Sequence, residues 1–137
     1  MRVFSEKINY ALSALFELAN NFNQSHMQIK DISKAQNIPK SYLEKLLISL
    51  KRGNLVESVR GAQGGYKLKK PPNKIRIIDI IEVLESSITI LDYSKNTEVL
   101  QAFWKNIEVK FKDLLNITLE DLVNEEVLLR KRLNYQI

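Results

Sequence analysis

The sequence predicts a mainly helical fold carrying one small β-hairpin, an α+β arrangement. Three observations predict it. Apolar residues recur at helical spacing along most of the 137 residues. The period switches to two only around residues 55–69, where three of the four glycines cluster. A long amphipathic stretch without Gly or Pro then closes the chain.

The first helix is expected from Glu6 to about Asn21. Ile8, Ala11, Leu12, Leu15, Leu18, Ala19 and Phe22 form its stripe, and Tyr10, Ala14 and Phe16 widen it. A helix apolar on more than one face needs two neighbours, one the domain core and the other a second subunit. After a polar loop (Asn20 to Ser25), a short helix is expected at 29–36, with Ile29, Ile32 and Ala35 inward. Asn37-Ile38 reads as a tight turn, and Pro39 suits the start of the next helix because its missing N–H costs nothing there. That helix carries Leu43, Leu46, Leu47 and Leu50, and Gly53 is expected to end it at positive φ. Two helices joined by so short a turn form a helix-turn-helix.

Strands are expected at 55–59 and 66–69, with Arg60-Gly61-Ala62-Gln63-Gly64-Gly65 as the hairpin loop. Ile77, Ile80, Ile81 and Leu84 mark a fourth helix, while residues 86–96 show no helical period. Thr97 is placed to cap a fifth helix reaching about Leu115. Its seam is Leu100, Phe103, Trp104, Ile107, Phe111 and Leu114, at spacings of about 3.5 residues, which suits helix–helix packing. Thr118-Leu119-Glu120-Asp121 resembles a capping box opening a last helix. The division expected is a winged helix-turn-helix domain at 1–85, a linker or sensor loop at 86–96, and a helical dimerisation region at 97–137 packing with the first helix.

Charge follows the same division. Residues 1–85 carry net +6 and residues 86–137 net −1; within 40–76 there are 10 Lys and Arg against 2 acids. A basic block beside a near-neutral one points to one part facing a polyanion and another serving assembly. Charge alone leaves a solvated basic surface equally open. No cysteine is present, which excludes disulfides and thiolate-held zinc or iron–sulfur clusters, and the single histidine, His26, cannot build a metal site alone. His26 is expected at the surface without a serine or acid partner. No nucleophile–base set stands out, so an enzyme is not expected, nor any metal or cofactor. No apolar run reaches the roughly 18 residues a membrane helix needs, and no signal-like N-terminus appears, so a cytoplasmic protein is expected.

With the leucine stripe inward, Ser41, Lys45 and Arg52 fall on the outer face of the second helix of the pair, flanked by Tyr42 and Glu44. Such a helix suits the major groove of double-stranded DNA, its N-terminal residues near base edges. Ser41 then bonds a base or phosphate. Glu44 accepts from cytosine N4 or repels phosphate, and Lys40, Lys45 and Lys51 neutralise phosphates. Arg60 at the loop tip suits a narrow minor groove, with Gln63 adding a hydrogen bond and Gly61, Gly64 and Gly65 allowing positive φ and close approach. A winged-helix module binding a protein rather than DNA is the alternative.

The motifs also carry a resemblance. Tyr10-Ala11-Leu12, Ser41-Tyr42-Leu43-Glu44, Gly53-Asn54-Leu55-Val56, Ser58-Val59-Arg60-Gly61-Ala62-Gln63-Gly64-Gly65-Tyr66 and Ile117-Thr118-Leu119-Glu120-Asp121-Leu122 resemble, in order, segments of the Rrf-two family of bacterial regulators. The resemblance implies a homodimer on a roughly palindromic operator, usually as a repressor. It places DNA contacts on Ser41, Tyr42, Glu44, Lys45, Arg60 and Gln63, and a dimerisation helix from Thr97. Cluster-binding members carry three cysteines ahead of that helix. Residues 86–96 have none, so the resemblance is to the cluster-free, CymR-like branch, in which an effector small molecule or a partner protein sets DNA affinity.

Overall fold

A computed structural model describes residues 1–135 of the chain. Six helices and one hairpin follow in order. They are α1 (Glu6–Asn20), α2 (Ile29–Gln36), α3 (Lys40–Arg52), β1 (Val56–Val59), β2 (Gly65–Leu68), a 3-10 turn (Pro72–Lys74), α4 (Ile77–Glu85), α5 (Glu98–Leu114) and α6 (Leu119–Tyr135).

The core forms where the apolar stripes meet. Ala11, Ala14, Leu15 and Leu18 of α1 pack against Ile32 of α2 and Leu43, Leu46, Leu47 and Leu50 of α3. Leu55, Val56 and Leu68 bring the hairpin base into the same cluster, and Ile75, Ile80 and Leu119 close it. Fully burying each such side chain stabilises by about 1.5–3 kcal/mol. The second apolar face of α1, expected to meet a second subunit, is instead taken by this chain's own α6. Asn20 Nδ2 donates to Glu126 Oε2 at 2.8 Å across that contact, and Arg130 pairs with the same carboxylate.

Local details depart from expectation in instructive ways. Asn37 does take the left-handed conformation, φ 53, that turns α2 into α3, and Pro39 sits at the N-cap, one residue before the helix. Ala35 is exposed rather than inward. Gly53 has φ −83, and the positive φ falls on Asn54, at 64. The glycine serves a different end: a Cβ at Gly53 would lie 2.4 Å from Val83 Cγ1, so its absence lets α4 pack against the end of α3. Thr97 stands at the N-cap of α5 but makes no side-chain capping bond. The Thr118–Asp121 box is formed: Thr118 N donates to Asp121 Oδ2 at 2.9 Å and Asp121 N to Thr118 Oγ1 at 3.1 Å. At α4 one half of such a box is made, Arg76 N donating to Asp79 Oδ2 at 2.9 Å.

Ser86, at φ 72, turns the chain out of α4 into a helix-free stretch before α5. A smaller cluster of Ile8, Ile78, Ile81 and Ile88, joined by Phe4, Phe111 and Leu115, anchors both ends of this excursion. Main-chain bonds stitch its base: Ile77 N donates to Ile117 O, Ile78 N to Leu115 O and Leu119 N to Ile75 O.

Candidate nucleic-acid interface

β1 and β2 pair antiparallel, Val56 opposite Leu68 and Val59 opposite Gly65, and Lys67 reaches Glu57 across the ladder at 3.3 Å. An isolated hairpin is marginal in water, and this one has support on its far edge. Met27, in the α1–α2 loop, exchanges two main-chain bonds with Tyr66, at 2.9 and 2.8 Å. The approach is close enough that a Cβ on Gly65 would sit 2.0 Å from Met27 O. Gly65 therefore belongs to the strand, and its lack of a side chain serves packing, not turning. Gly64 is similar, since its Cβ would lie 2.1 Å from Val59 O. Gly61 alone among the loop glycines has positive φ, at 114, with open space around it.

This hairpin stands beside α3. Between them runs an open groove of roughly 410 Å³, edged by Lys40 and Glu44 of α3, Ser58 and Gly64 of the hairpin, and Gln28 and Lys30 at the start of α2. Ser41, Glu44 and Lys45 are exposed on the outer face of α3. Tyr42 is partly exposed, its ring edge-on to Tyr10 at 5.2 Å, so α1 fixes its direction. Arg60 stands exposed at the start of the hairpin loop. Among the described residues, Lys40, Lys45, Arg52 and Arg60 form no ion pair, which leaves their charge for an external anion.

Three other cations of the basic block have partners within the chain. Lys51 Nζ donates to Ser58 Oγ at 2.8 Å, tying α3 to β1 while keeping its charge. Lys69 donates to Asn54 Oδ1. Arg76 pairs with Asp79 at 2.8 Å and donates to Asn116 Oδ1. Burial pushes the Asp79 carboxyl up, but the bonds and charge of Arg76 outweigh it and hold the group below its ordinary value.

The loop histidine corrects a sequence expectation. His26 is not an unpartnered surface residue: its ring bonds the Ser25 hydroxyl and the main-chain oxygen of Gln63. Gln28 Nε2 meanwhile donates to Gln63 Oε1 at 3.0 Å. Sequence reading also missed Lys30. A lone Lys after a polar loop carries no signal, and its place on the groove follows only from the packing of α2 against α3.

The α5 seam is divided. Leu100, Phe103, Ile107 and Leu114 are exposed, Leu114 by 71% and Phe103 by 51%. Trp104 is half-buried and edge-on to Phe103 at 5.1 Å. Phe111 turns toward its own chain and stacks on Phe4 at 5.8 Å. The buried residue of α5 is polar: Glu108, 6% exposed, accepts from the Tyr93 hydroxyl at 2.8 Å and pairs with Lys112 at 3.4 Å. The Tyr93 bond pulls its carboxyl below the ordinary value, burial opposes, and Lys112 adds to the lowering.

Comparison with known proteins gives the arrangement its context. A family model described as "Rrf2: Iron-dependent Transcriptional regulator" matches residues 4–125. The regulator CymR of Bacillus subtilis is 36% identical over 122 residues, covering 88% of each chain. A putative HTH-type transcriptional regulator of Synechocystis is 37% identical over 123 residues, covering 85% of this chain and 84% of its own. The structure of CymR, described as the global cysteine regulator of B. subtilis, superposes with a TM-score of 0.84 at 35% identity, over 91% of this chain and 98% of that one. T. potens IscR superposes with a TM-score of 0.76 at 36% identity, over 90% and 87%.

The iron-dependence in the family's description does not fit the donors of this chain. No cysteine exists to ligate a cluster. In the stretch before α5, Asp92 accepts from Ser94 N and Oγ, and the Tyr93 hydroxyl is bonded to Glu108. Among the described residues, no three His, Cys, Asp or Glu come together as a metal site. None of their helices is long and apolar enough to cross a membrane. On its fold and its relatives, the chain belongs to the Rrf2 family of winged helix-turn-helix, DNA-binding transcriptional regulators, and to the members that lack the cluster cysteines.

Proposed function

We propose that the protein binds a two-fold operator as a homodimer and represses transcription from it. In this reading the outer face of α3 enters the major groove and the hairpin loop the adjacent minor groove. The observation that carries it is the groove between α3 and hairpin, with Lys40 on its edge and Lys45 and Arg60 exposed on the two elements that form it, none of the three ion-paired among the described residues. Ser41, Tyr42 and Glu44 meet base edges or the phosphates beside them, Glu44 accepting from a cytosine amino group. Lys40 and Lys45 neutralise phosphates without reading sequence. Arg60 enters the minor groove, with Gln63 adding a hydrogen bond and Gly61 and Gly64 letting the main chain approach.

The exposed Leu100, Phe103 and Ile107 of α5, with Trp104 and Leu114 beside them, supply the dimer contact. Phe111 supports it from beneath through Phe4. An effector small molecule or partner protein acts on residues 86–96, whose attachment to α5 runs through Tyr93 and Glu108.

The test is a titration of duplexes selected by the protein from a random-sequence pool, across a salt series. Affinity should fall steeply with salt, the logarithmic slope approaching about −0.9 per phosphate neutralised. Arg60→Ala should weaken binding by roughly 1–3 kcal/mol. Unchanged affinity in that variant removes the hairpin from the DNA, and absence of binding even at low salt removes the reading as a whole.

A further inference from the structure

Two side chains of the α1–α2 loop hold the hairpin loop through a single residue. The carbonyl of Gln63 accepts from His26 Nε2, which requires a proton on that nitrogen. In the neutral ring Nδ1 is then left to accept from the Ser25 hydroxyl, 3.0 Å away. The side-chain oxygen of the same Gln63 accepts from Gln28 Nε2 at 3.0 Å. Both oxygens of Gln63 are thus engaged from one side. Its amide nitrogen has no hydrogen-bond partner among the described residues and is left as a donor. The neighbouring Met27–Tyr66 main-chain bonds make the α1–α2 loop a third edge of the hairpin.

We infer that His26 and Gln28 are positioning residues for DNA binding, holding the hairpin loop in its groove-entering shape and presenting the Gln63 amide as a donor to the minor groove. The inference rests on the reading that the loop enters a minor groove. A four-residue-per-strand hairpin cannot keep its loop shaped alone. A loop that must order on the DNA gives up affinity to entropy, and a loop already held does not. The exposed donor also has a preference. A·T pairs show only acceptors in the minor groove, whereas G·C adds the guanine amino donor, which repels another donor. Gln28 therefore favours A·T beneath the hairpin loop without touching DNA itself.

The experiment uses the full chain, duplexes selected by the wild-type protein from a random-sequence pool, and the same duplexes with the pairs beneath the loop changed from A·T to G·C. His26→Ala and Gln28→Ala should each weaken binding by roughly three- to tenfold. The salt slope should stay unchanged, because no phosphate contact is lost. The Gly64 amide, which donates to Gly61 O at 3.0 Å, should exchange faster in both. Gln28→Ala should also narrow the preference for A·T over G·C, and His26→Gln, which restores a donor, should recover affinity. Wild-type affinity in both alanine variants overturns the inference, as does a His26→Gln protein no better than His26→Ala. Should His26→Ala lower the melting temperature, Gln28→Ala and its base preference decide alone. Arg60→Ala separates the two levels. If it leaves affinity unchanged, the minor-groove reading itself is wrong; if it weakens binding while both loop variants do not, only the positioning role is lost.

Discussion

The two ends of this molecule bury their apolar residues in opposite ways. In α3, Leu43, Leu46, Leu47 and Leu50 all vanish into the chain's own core, and the surface left outside is mainly polar, with Ile48 and Tyr42 its exposed apolar members. In α5, which is four residues longer, the buried residue is Glu108, while Leu100, Phe103, Ile107 and Leu114 face outward. Both helices are amphipathic, so pattern alone does not separate them. Location does: α3 lies among α1, α2, α4 and the hairpin, whereas α5 is held mainly through Phe111 and the Tyr93–Glu108 bond. One region is complete as a folded body. The other is shaped for something outside the chain, and a second copy is the proposed occupant.

The sharpest way to break that contrast is to charge the α5 seam. Leu100→Glu with Phe103→Glu should leave the melting of the head near that of the wild type but convert dimer to monomer in sedimentation. Losing the second half-site should then weaken operator binding by about 10²–10⁴-fold. A variant that stays dimeric, or that unfolds outright, would show that α5 belongs to the core after all.

The converse change attacks the head. Gly53→Val places a side chain where Val83 already sits, and should cost roughly 1–3 kcal/mol of stability, read as a lower urea midpoint, with the oligomeric state unchanged. Val83→Ala in the same chain should return part of the loss. If the double variant is no better than the single, the α3–α4 contact does not set the stability of this region.

The smallest effect concerns acid. Glu108 has a folded-state pKa below its ordinary value. Its contribution to stability is therefore complete above the ordinary glutamate range and is lost as pH falls through the folded value. Tyr93→Phe removes the first cause of that lowering and should lower the neutral plateau of a stability–pH curve slightly while leaving its acid end near that of the wild type, so that the acid limb becomes shallower. An unaltered acid limb would detach residues 86–96 from α5.

Much of this was legible in advance because it was periodic. The leucines of α3 and the Thr118–Asp121 box each announce themselves within one or two helical turns. What escaped involves partners distant along the chain. Gly53 marked the end of α3, but its contact with Val83, thirty residues on, gives it a role that no local rule contains. His26 looked idle because Gln63 lies 37 residues away. Lys51 and Lys69 entered the charge count, but their hydrogen bonds to Ser58 and Asn54 could not be read from it. The seam spacing identified a packing face on α5 but could not tell that Phe111 turns back to Phe4.

The main-chain bonds between Ile75–Ile78 and Leu115–Leu119 have a consequence beyond holding two segments together. The chain leaves the head after α4, runs out through residues 86–96 and α5, and returns to almost the point it left. Such an excursion is a cassette with a fixed socket. Its length, composition and chemistry can change while the socket keeps both ends in register. The excursion can then be exchanged without redrawing the rest of the fold, and a protein engineer has the same two cut sites.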